Sequence, residues 1–313
     1  MSFSSVSLLI NTLQSTKPAA KAVILHIHGG GYVGGHPDSF LPFADFMTRD
    51  LGIPVLLPSY RKAPDQPFPA ALQDCLDFYG FLFSGGELVR RLIGFHPEAV
   101  ILSGDSAGGN FALSLTLAVM QIRRMRAAEA GDSSRRSKEI KMPAALLLQY
   151  PCLCPAFVSL PSYVLSPIDL IASTGALFSF MSAYHPDWSA SPEAGQALWF
   201  RQEPEERVKG LIASLAARSR DPLFNNLAFE GFADEEIKAI DLRITAAEMD
   251  PLLDHSVSLA RRWRGSEVDL RIAERMPHCF AILPRLPPLT PASSLIRAQF
   301  ALAFGRVNKR LEK

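Results

Sequence analysis

Short apolar runs alternate along the chain with longer stretches in which apolar residues recur every three or four positions. The runs predict buried strands, because they are too short for helices and several of them end at glycine or proline. The longer stretches predict helices with one apolar face. Strands are predicted at residues 22–28, 53–57, 99–103, 144–149, 242–246 and 268–273. Helices are predicted at residues 40–51, 68–83, 110–125, 255–264 and 291–304.

This alternation predicts an α/β fold in which a mostly parallel, doubly wound sheet carries helices on both faces. The length of 313 residues allows one large domain or two small ones, and we expect a single domain over residues 1–313. Ligands of such sheets bind beyond the carboxyl ends of the strands. The residues that follow each predicted strand are therefore the first candidates for chemistry.

Two segments interrupt the alternation. Residues 123–141 are charged and serine-rich, which predicts a solvated helix end and a mobile loop, with a regulatory or docking patch as the alternative. Residues 155–226, approximately, contain many prolines and no clean strand, yet Leu, Phe, Trp and Tyr are frequent there. We expect this second segment to be an inserted cap or lid over the site rather than a disordered linker.

The composition is that of a globular protein with a substantial core, since 48% of the residues are hydrophobic and 20% are charged. The 32 basic residues nearly balance the 31 acidic ones, so the net charge of +1 gives no reason to expect nucleic acid as a partner. A mean hydropathy of +0.12 is slightly apolar. This hydropathy is compatible with a hydrophobic substrate pocket or a transient contact with a membrane or lipid droplet.

Signals of other protein classes are weak in this sequence. No apolar run approaches the roughly 18 residues of a membrane span, and residues 1–14 lack the positive region of a signal peptide. Four cysteines in a chain of this length do not make a disulfide framework. Cys152 and Cys154 have no His/Cys pair at ligand spacing nearby, so no metal site is expected. These observations favour a reduced, cytoplasmic protein.

A candidate nucleophile lies between the third predicted strand and a long helix. Residues 104–108 read G-x-S-x-G, the pattern in which a serine sits on a sharp strand-to-helix turn with its Oγ exposed. Ser106 occupies that position, and Gly104 and Gly108 leave room for the tight turn. The motif also occurs by chance, and the strand before it and the helix after it are what favour the functional interpretation.

A glycine-rich loop follows the first predicted strand, at His28, Gly29, Gly30 and Gly31. The alternative interpretation of this HGGG segment is a tight turn that needs flexible residues. HGGG-type loops contribute backbone N–H groups to the oxyanion hole of lipases and esterases, together with the N–H of the residue after the nucleophile, here Ala107.

A serine nucleophile needs a base, and the base needs an orienting acid. The sequence offers seven histidines: His26, His28, His36, His96, His185, His255 and His278. His278 lies in a loop after the last predicted strand, where a doubly wound hydrolase places its base. Asp250 follows the fifth strand and is the favoured acid, while Glu248 and Asp254 remain alternatives, although Asp254 is expected to cap the next helix.

These motifs together resemble the hormone-sensitive lipase-like branch of the α/β-hydrolases. The resemblance covers about residues 21–285 and includes GDSAGG at 104–109, DPLLD at 250–254, YRKAP at 60–64 and DPLF at 221–224. It implies Ser106 as nucleophile, His278 as base and Asp250 as its partner. It also implies an oxyanion hole formed by Gly30, Gly31 and Ala107. The family hydrolyses carboxylic esters without metal or organic cofactor, on an eight-stranded sheet with a cap made partly from the N-terminus.

The sequence departs from this family in three places. HGGG begins at residue 28, so the N-terminal strands and cap are expected to be missing or shortened. Cys279 stands where the family usually has glycine, and a positive φ there would strain its backbone. The segment between residues 184 and 220 is short compared with the family's regulatory insertion.

The sequence therefore predicts a serine hydrolase that cleaves small-molecule or lipid carboxylic esters through an acyl-enzyme, as a carboxylesterase or lipase of lipid metabolism. Two alternatives stay open. One is a non-catalytic ligand-binding module on the same fold. The other is an amide deacetylase, because fold and triad do not fix the leaving group.

Overall fold

A computed structural model describes residues 8–11, 21–129, 140–155, 160–185, 218–232, 234–264, 268–282 and 290–312. Their central element is a sheet of seven strands in the order β1-β3-β2-β4-β5-β6-β7. The strands are β1 Leu8–Asn11, β2 Ala22–Ile27, β3 Val55–Pro58, β4 Ala99–Asp105, β5 Ala145–Gln149, β6 Asp241–Ala247 and β7 Val268–Ala273. All neighbouring strands run parallel except β1, which pairs antiparallel with β3 at the edge.

The register brings the carboxyl ends of β2, β4 and β5 side by side. Ile27 pairs with Gly104, and Asp105 pairs with Gln149. Every residue of these three strands is buried, as expected of parallel strands that are covered on both faces. The loops that follow the strands therefore meet above one edge of the sheet.

Helices cover both faces of the sheet. They are α1 Leu41–Leu51, α2 Ala70–Ser84, α3 Gly86–Ile93, α4 Ala107–Glu129, α5 Thr174–Tyr184, α6 Glu235–Lys238, α7 Leu253–Arg262 and α8 Thr290–Leu311. Side chains from α1 and α8 form the apolar core on one face. The larger core on the other face is built mainly by α2, α4, α5 and α7. This is the doubly wound α/β architecture that the alternation of strands and helices predicts, and it agrees with the α/β-hydrolase fold that the resemblance implies.

All six predicted strands and all five predicted helices are present, with ends that differ by up to seven residues. Four regular elements were not predicted: β1, α3, α5 and α6. The seven described strands are one fewer than the eight implied by the resemblance, and β1 shows that a further strand precedes β2 and the HGGG loop. The expected shortening of the N-terminal cap concerns residues 1–7 and 12–20, which lie outside the described residues.

The proposed lid segment is described in part. Residues 161–165 form a 3-10 helix, and α5 and the 3-10 helix Asn226–Ala228 follow. Residues 156–159 and 186–217 lie outside the described residues, as do residues 130–139 of the charged segment. Within the described ranges, no helix is both long and apolar enough to cross a membrane.

Candidate active site

Ser106 stands on a strained turn between β4 and α4. Its φ of 51° lies in the left-handed region, which non-glycine residues rarely adopt. Hydrogen bonds on both sides hold the turn: the Ser106 N–H donates to the carbonyl of Gln149 at 3.0 Å, and the Ser106 carbonyl accepts from the Cys152 N–H at 2.9 Å. The turn thus places the hydroxyl at the carboxyl edge of the sheet while β5 fixes its backbone.

The glycines of the motif allow the close approach that this turn requires. A Cβ atom on Gly104 would lie 2.2 Å from the carbonyl oxygen of Gly108. One on Gly108 would lie 2.0 Å from the carbonyl oxygen of Ile27, at the end of β2. No side chain fits at either distance, so the first turn of α4 lies directly against the strand that leads into the HGGG loop.

The structure brings together the three residues that the sequence singles out. Ser106 Oγ lies 2.8 Å from Nε2 of His278, and Nδ1 of His278 lies 2.8 Å from Oδ2 of Asp250. Because a carboxylate can only accept, Nδ1 carries a proton toward Asp250. When the ring is neutral, Nε2 is therefore able to accept from the serine hydroxyl. All three residues are buried, and the Asp250 side chain is further held by accepting the Leu252 N–H at 2.7 Å.

The electrostatics of this pair favour a charged imidazole. Burial is the largest single influence and lowers the pKa of His278. The charge and hydrogen bond of Asp250, together with Cys279, outweigh it, and the pKa stands above the ordinary histidine value. The nearby thiol of Cys279 contributes in the same direction. A histidine in this setting is well suited to take up a proton and to be stabilised once it is charged.

The HGGG loop is anchored to the residue that precedes Ser106. The Gly29 N–H donates to Oδ1 of Asp105 at 2.8 Å. Gly30 and Gly31 follow with φ values of 131° and 60°, conformations open to glycine. The Gly30 carbonyl accepts from the N–H groups of Val33 and Gly34, which closes the turn.

His28 is buried beneath this loop and has no contact with the His278–Asp250 pair in the described structure. Its Nδ1 donates to the carbonyl of Gly29 at 2.7 Å, and its ring stacks on Tyr60 at 4.4 Å. The Tyr60 hydroxyl donates to the His28 carbonyl at 2.8 Å. Burial lowers the pKa of His28 to about 4, so the ring is neutral near pH 7. Its contacts are those of a residue that shapes the loop.

The two alternative acids contact other groups. Glu248 accepts the Arg275 N–H at 2.7 Å, and Asp254 accepts the Ser162 N–H at 2.7 Å. The expectation that Asp254 caps the next helix is wrong, because α7 begins one residue before it and has no side-chain cap. Its carboxylate instead holds the start of the 3-10 helix at residues 161–165.

The backbone beside the histidine is strained as foreseen. Cys279 has a φ of 63°, so this position does adopt the conformation that favours glycine. Arg275, in the same loop, has a φ of 57°. A loop with two such residues needs outside contacts to hold it in place.

Sequence reasoning missed three residues around the histidine and serine. The ring of Tyr150, a residue with a φ of 34°, lies 5.0 Å from the His278 ring, edge to face. Asp105 anchors Gly29, and Asp169 accepts the His278 N–H at 3.0 Å. Only Asp105 carried a signal in the sequence, as an acidic residue at the end of an apolar strand.

The described residues contain no group of three or more His, Cys, Asp or Glu side chains arranged to hold a metal ion. Cys152 and Cys154 are both buried. Burial raises the pKa of Cys152 to about 11, which disfavours the thiolate that a metal would need.

Comparison with known proteins identifies the family of the chain. Residues 24–282 match the family described as alpha/beta hydrolase fold. The chain belongs to this family. The hormone-sensitive lipase of Bos taurus is 32% identical over 177 residues, which are 54% of this chain and 21% of that protein. The ethyl acetate hydrolase of Pseudomonas putida is 27% identical over 260 residues, which are 83% of this chain and 65% of that protein.

The solved structures give the same fold. Carboxyl esterase 2 of Tuber melanosporum superposes with a TM-score of 0.69 at 20% identity, covering 96% of this chain and 83% of that one. The predicted α/β-hydrolase fold and the likeness to the hormone-sensitive lipase-like branch are thereby confirmed. The chain spans about a fifth of the length of the hormone-sensitive lipases that it matches.

Proposed function

We propose that this protein is a serine hydrolase that cleaves carboxylic esters of small molecules or lipids through an acyl-enzyme on Ser106. The observation that carries the proposal is the hydrogen-bonded line from Ser106 through His278 to Asp250, with 2.8 Å at each link. The similarity to lipases and esterases supports the same class of reaction.

In the proposed first step, Ser106 Oγ attacks the ester carbonyl while Nε2 of His278 takes its proton. A tetrahedral intermediate forms, and the protonated imidazole then gives its proton to the leaving alkoxide, which departs as the alcohol. Water repeats the sequence on the acyl-enzyme and releases the acid. Asp250 fixes the ring orientation and stabilises the imidazolium, a role supported by its complete burial and its contact with Nδ1.

The negative charge of the intermediate is proposed to be bound by the N–H groups of Gly30, Gly31 and Ala107. The Gly29 N–H is already bound to Asp105, which leaves the next two amides of the loop for the substrate. Ala107 is the first residue of α4, so its N–H lies at the positive end of a long helix. A donor of this kind is worth about 10²–10³ in kcat.

Residues 155–226 are proposed to form the lid of a single domain that spans residues 1–313. Its described part lies against the HGGG loop: a Cβ atom on Gly31 would lie 2.5 Å from the Phe180 ring, and Tyr184 stacks on Tyr32 at 3.9 Å. These aromatic contacts support an apolar acyl or alcohol group in the substrate.

The direct test is ester hydrolysis by the Ser106→Ala variant. Wild-type protein is expected to hydrolyse p-nitrophenyl esters, assayed from acetyl to long acyl chains, and Ser106→Ala to lose up to about 10⁶ in kcat. Ser39→Ala is the matched control, since Ser39 is exposed and remote in the sequence from the three residues. Wild-type rates in Ser106→Ala would refute the proposal.

A further inference from the structure

The loop that carries His278 is held by a buried carboxylate from a different part of the chain. Asp169 lies in the segment between the 3-10 helix at residues 161–165 and α5, and it is only 5% exposed. Its Oδ2 accepts the backbone N–H of His278 at 3.0 Å. Its Oδ1 accepts the N–H groups of Ile171 and Ala172 at 2.8 and 2.7 Å. One carboxylate therefore ties its own turn to the peptide of the histidine.

Around Asp169 the apolar side chains are exposed and the acidic side chain is buried, the reverse of an ordinary surface loop. Its neighbours Ile168, Leu170 and Ile171 are 63%, 98% and 52% exposed, while the charged side chain points inward. Burial of apolar side chains at these three positions therefore does not hold the turn against the body of the protein. The hydrogen bond that the carboxylate accepts from the His278 N–H links the turn to that body, together with the buried side chain of Ala172.

The loop that receives this contact needs support. Arg275 and Cys279 both adopt a positive φ, a conformation that persists only where surrounding contacts over-determine it. Glu248 holds one end by accepting the Arg275 N–H, and Asp169 holds the other end at His278 itself. The second contact acts on the peptide that directly carries the imidazole.

We propose that Asp169 is a positioning residue that keeps the imidazole of His278 aligned with Ser106. This inference rests on the proposed function, because alignment matters only if His278 acts as the base. Misplacing a reacting group by about 1 Å can cost about 10²-fold in rate. Asp169 is thus expected to affect the chemical step more than the binding of the ester.

The test is the Asp169→Asn variant, which keeps the shape of the side chain. Both carboxylate oxygens accept N–H bonds, so the amide must turn its NH₂ group toward at least one N–H donor. We expect kcat on p-nitrophenyl acetate and butyrate to fall alike by about 10- to 100-fold, with KM within about threefold of wild type. The rate of labelling of Ser106 by a fluorophosphonate should fall in parallel.

Asp254→Asn is the matched control, because Asp254 also accepts a backbone N–H from this segment, that of Ser162, without touching the peptide of His278. It is expected to keep kcat within about threefold of wild type. A rise of KM alone in Asp169→Asn, or equal losses of kcat in both variants, would reduce Asp169 to a residue that merely holds the segment, and the inference would be overturned.

The outcomes separate the inference from the proposed function. A wild-type protein without esterase activity or labelling refutes both, whereas an active wild type with an equally active Asp169→Asn refutes only the inference.

If the Asp169→Asn variant does not fold, hydrogen exchange of the His278 amide in ¹⁵N-histidine-labelled wild type replaces it as the test. The bond to Asp169 predicts exchange at least about 100-fold slower than that of an exposed amide, and exchange at the exposed rate contradicts it.

Discussion

At the scale of single residues, Asp250 and His278 are directly coupled by a hydrogen bond. Asp250 is fully buried, and its carboxylate faces Nδ1 of the imidazole at 2.8 Å. Burial alone lowers the pKa of a histidine, as it does for His255, whose pKa falls to about 4. His278 shows the opposite direction because the contributions of Asp250 and Cys279 together outweigh burial.

This coupling predicts the acid limb of the pH profile. A protonated His278 cannot accept the serine proton, so kcat/KM should fall as the pH drops through the pKa of His278. Because that pKa is raised, the midpoint of the limb should lie above the ordinary histidine value of about 6.5. The measurement is kcat/KM for p-nitrophenyl butyrate from pH 5 to pH 10, with the rate of the spontaneous hydrolysis subtracted.

Asp250→Asn is the informative variant for this prediction. It removes the charge that raises the pKa of His278 and leaves burial in place, so the limb should move to lower pH. The amide also permits the wrong ring tautomer, and loss of an orienting carboxylate costs about 10⁴ in kcat in such triads. An unchanged limb in Asp250→Asn would show that another group controls the profile.

At the scale of elements, the site depends on how closely α4 approaches β2. The backbone of Gly108 lies so near the end of β2 that a Cβ atom would come within 2.0 Å of the Ile27 carbonyl oxygen. The other neighbours of that position are backbone atoms of the same strand end, which do not move aside like a flexible side chain. The first turn of α4 and the HGGG loop are therefore positioned by one contact.

This contact predicts that Gly108→Ala is damaging in two ways. Forcing α4 away from β2 should lower the free energy of unfolding by about 1–3 kcal/mol or more, and it should displace the Ala107 N–H relative to the loop, lowering kcat. Gly305→Ala is the matched control, because Gly305 lies within α8 with nothing within 4 Å of its Cβ position. That variant should gain up to about 1 kcal/mol.

Urea unfolding and ester hydrolysis measured on both variants check the prediction. Gly108→Ala with wild-type stability and activity would mean that the approach of α4 to β2 is looser than described. A loss in Gly305→Ala comparable to that in Gly108→Ala would show that a methyl group on any helix glycine is harmful, and the argument from the contact would fail.

At the scale of the whole molecule, the sequence predicted most strands of the sheet and the three residues Ser106, Asp250 and His278. It did not predict the residues that hold these three in place. Apolar runs located β2 to β5, because parallel strands buried on both faces leave no alternation to misread. The segments that became β6 and β7 are mixed, LRITA and VDLRIA, and β7 is partly exposed. The edge strand β1 was missed because four residues of an antiparallel edge make no distinctive run. Helix α3 was missed because it begins within the Gly85–Gly86 pair, at Gly86, and paired glycines resemble a loop.

The same limit applies to the site. Ser106, Asp250 and His278 could be proposed from their places after strands, because the carboxyl ends of parallel strands share one edge. Asp169 could not, since its partner is a backbone N–H 109 positions away. Asp254 was expected to cap α7, whereas its carboxylate accepts the N–H of Ser162. The reason is related: spacing shows how near a residue is to a helix start, but not which N–H its carboxylate reaches.

The central claim is that Ser106 is a nucleophile activated by His278, and covalent labelling tests it most directly. Wild-type protein treated with a fluorophosphonate should gain one adduct, and mass spectrometry of the digested protein should locate it at Ser106. Ser106→Ala should gain none, and His278→Ala should react far more slowly. A folded wild-type protein that takes up no probe, or an adduct on another residue, would contradict the account.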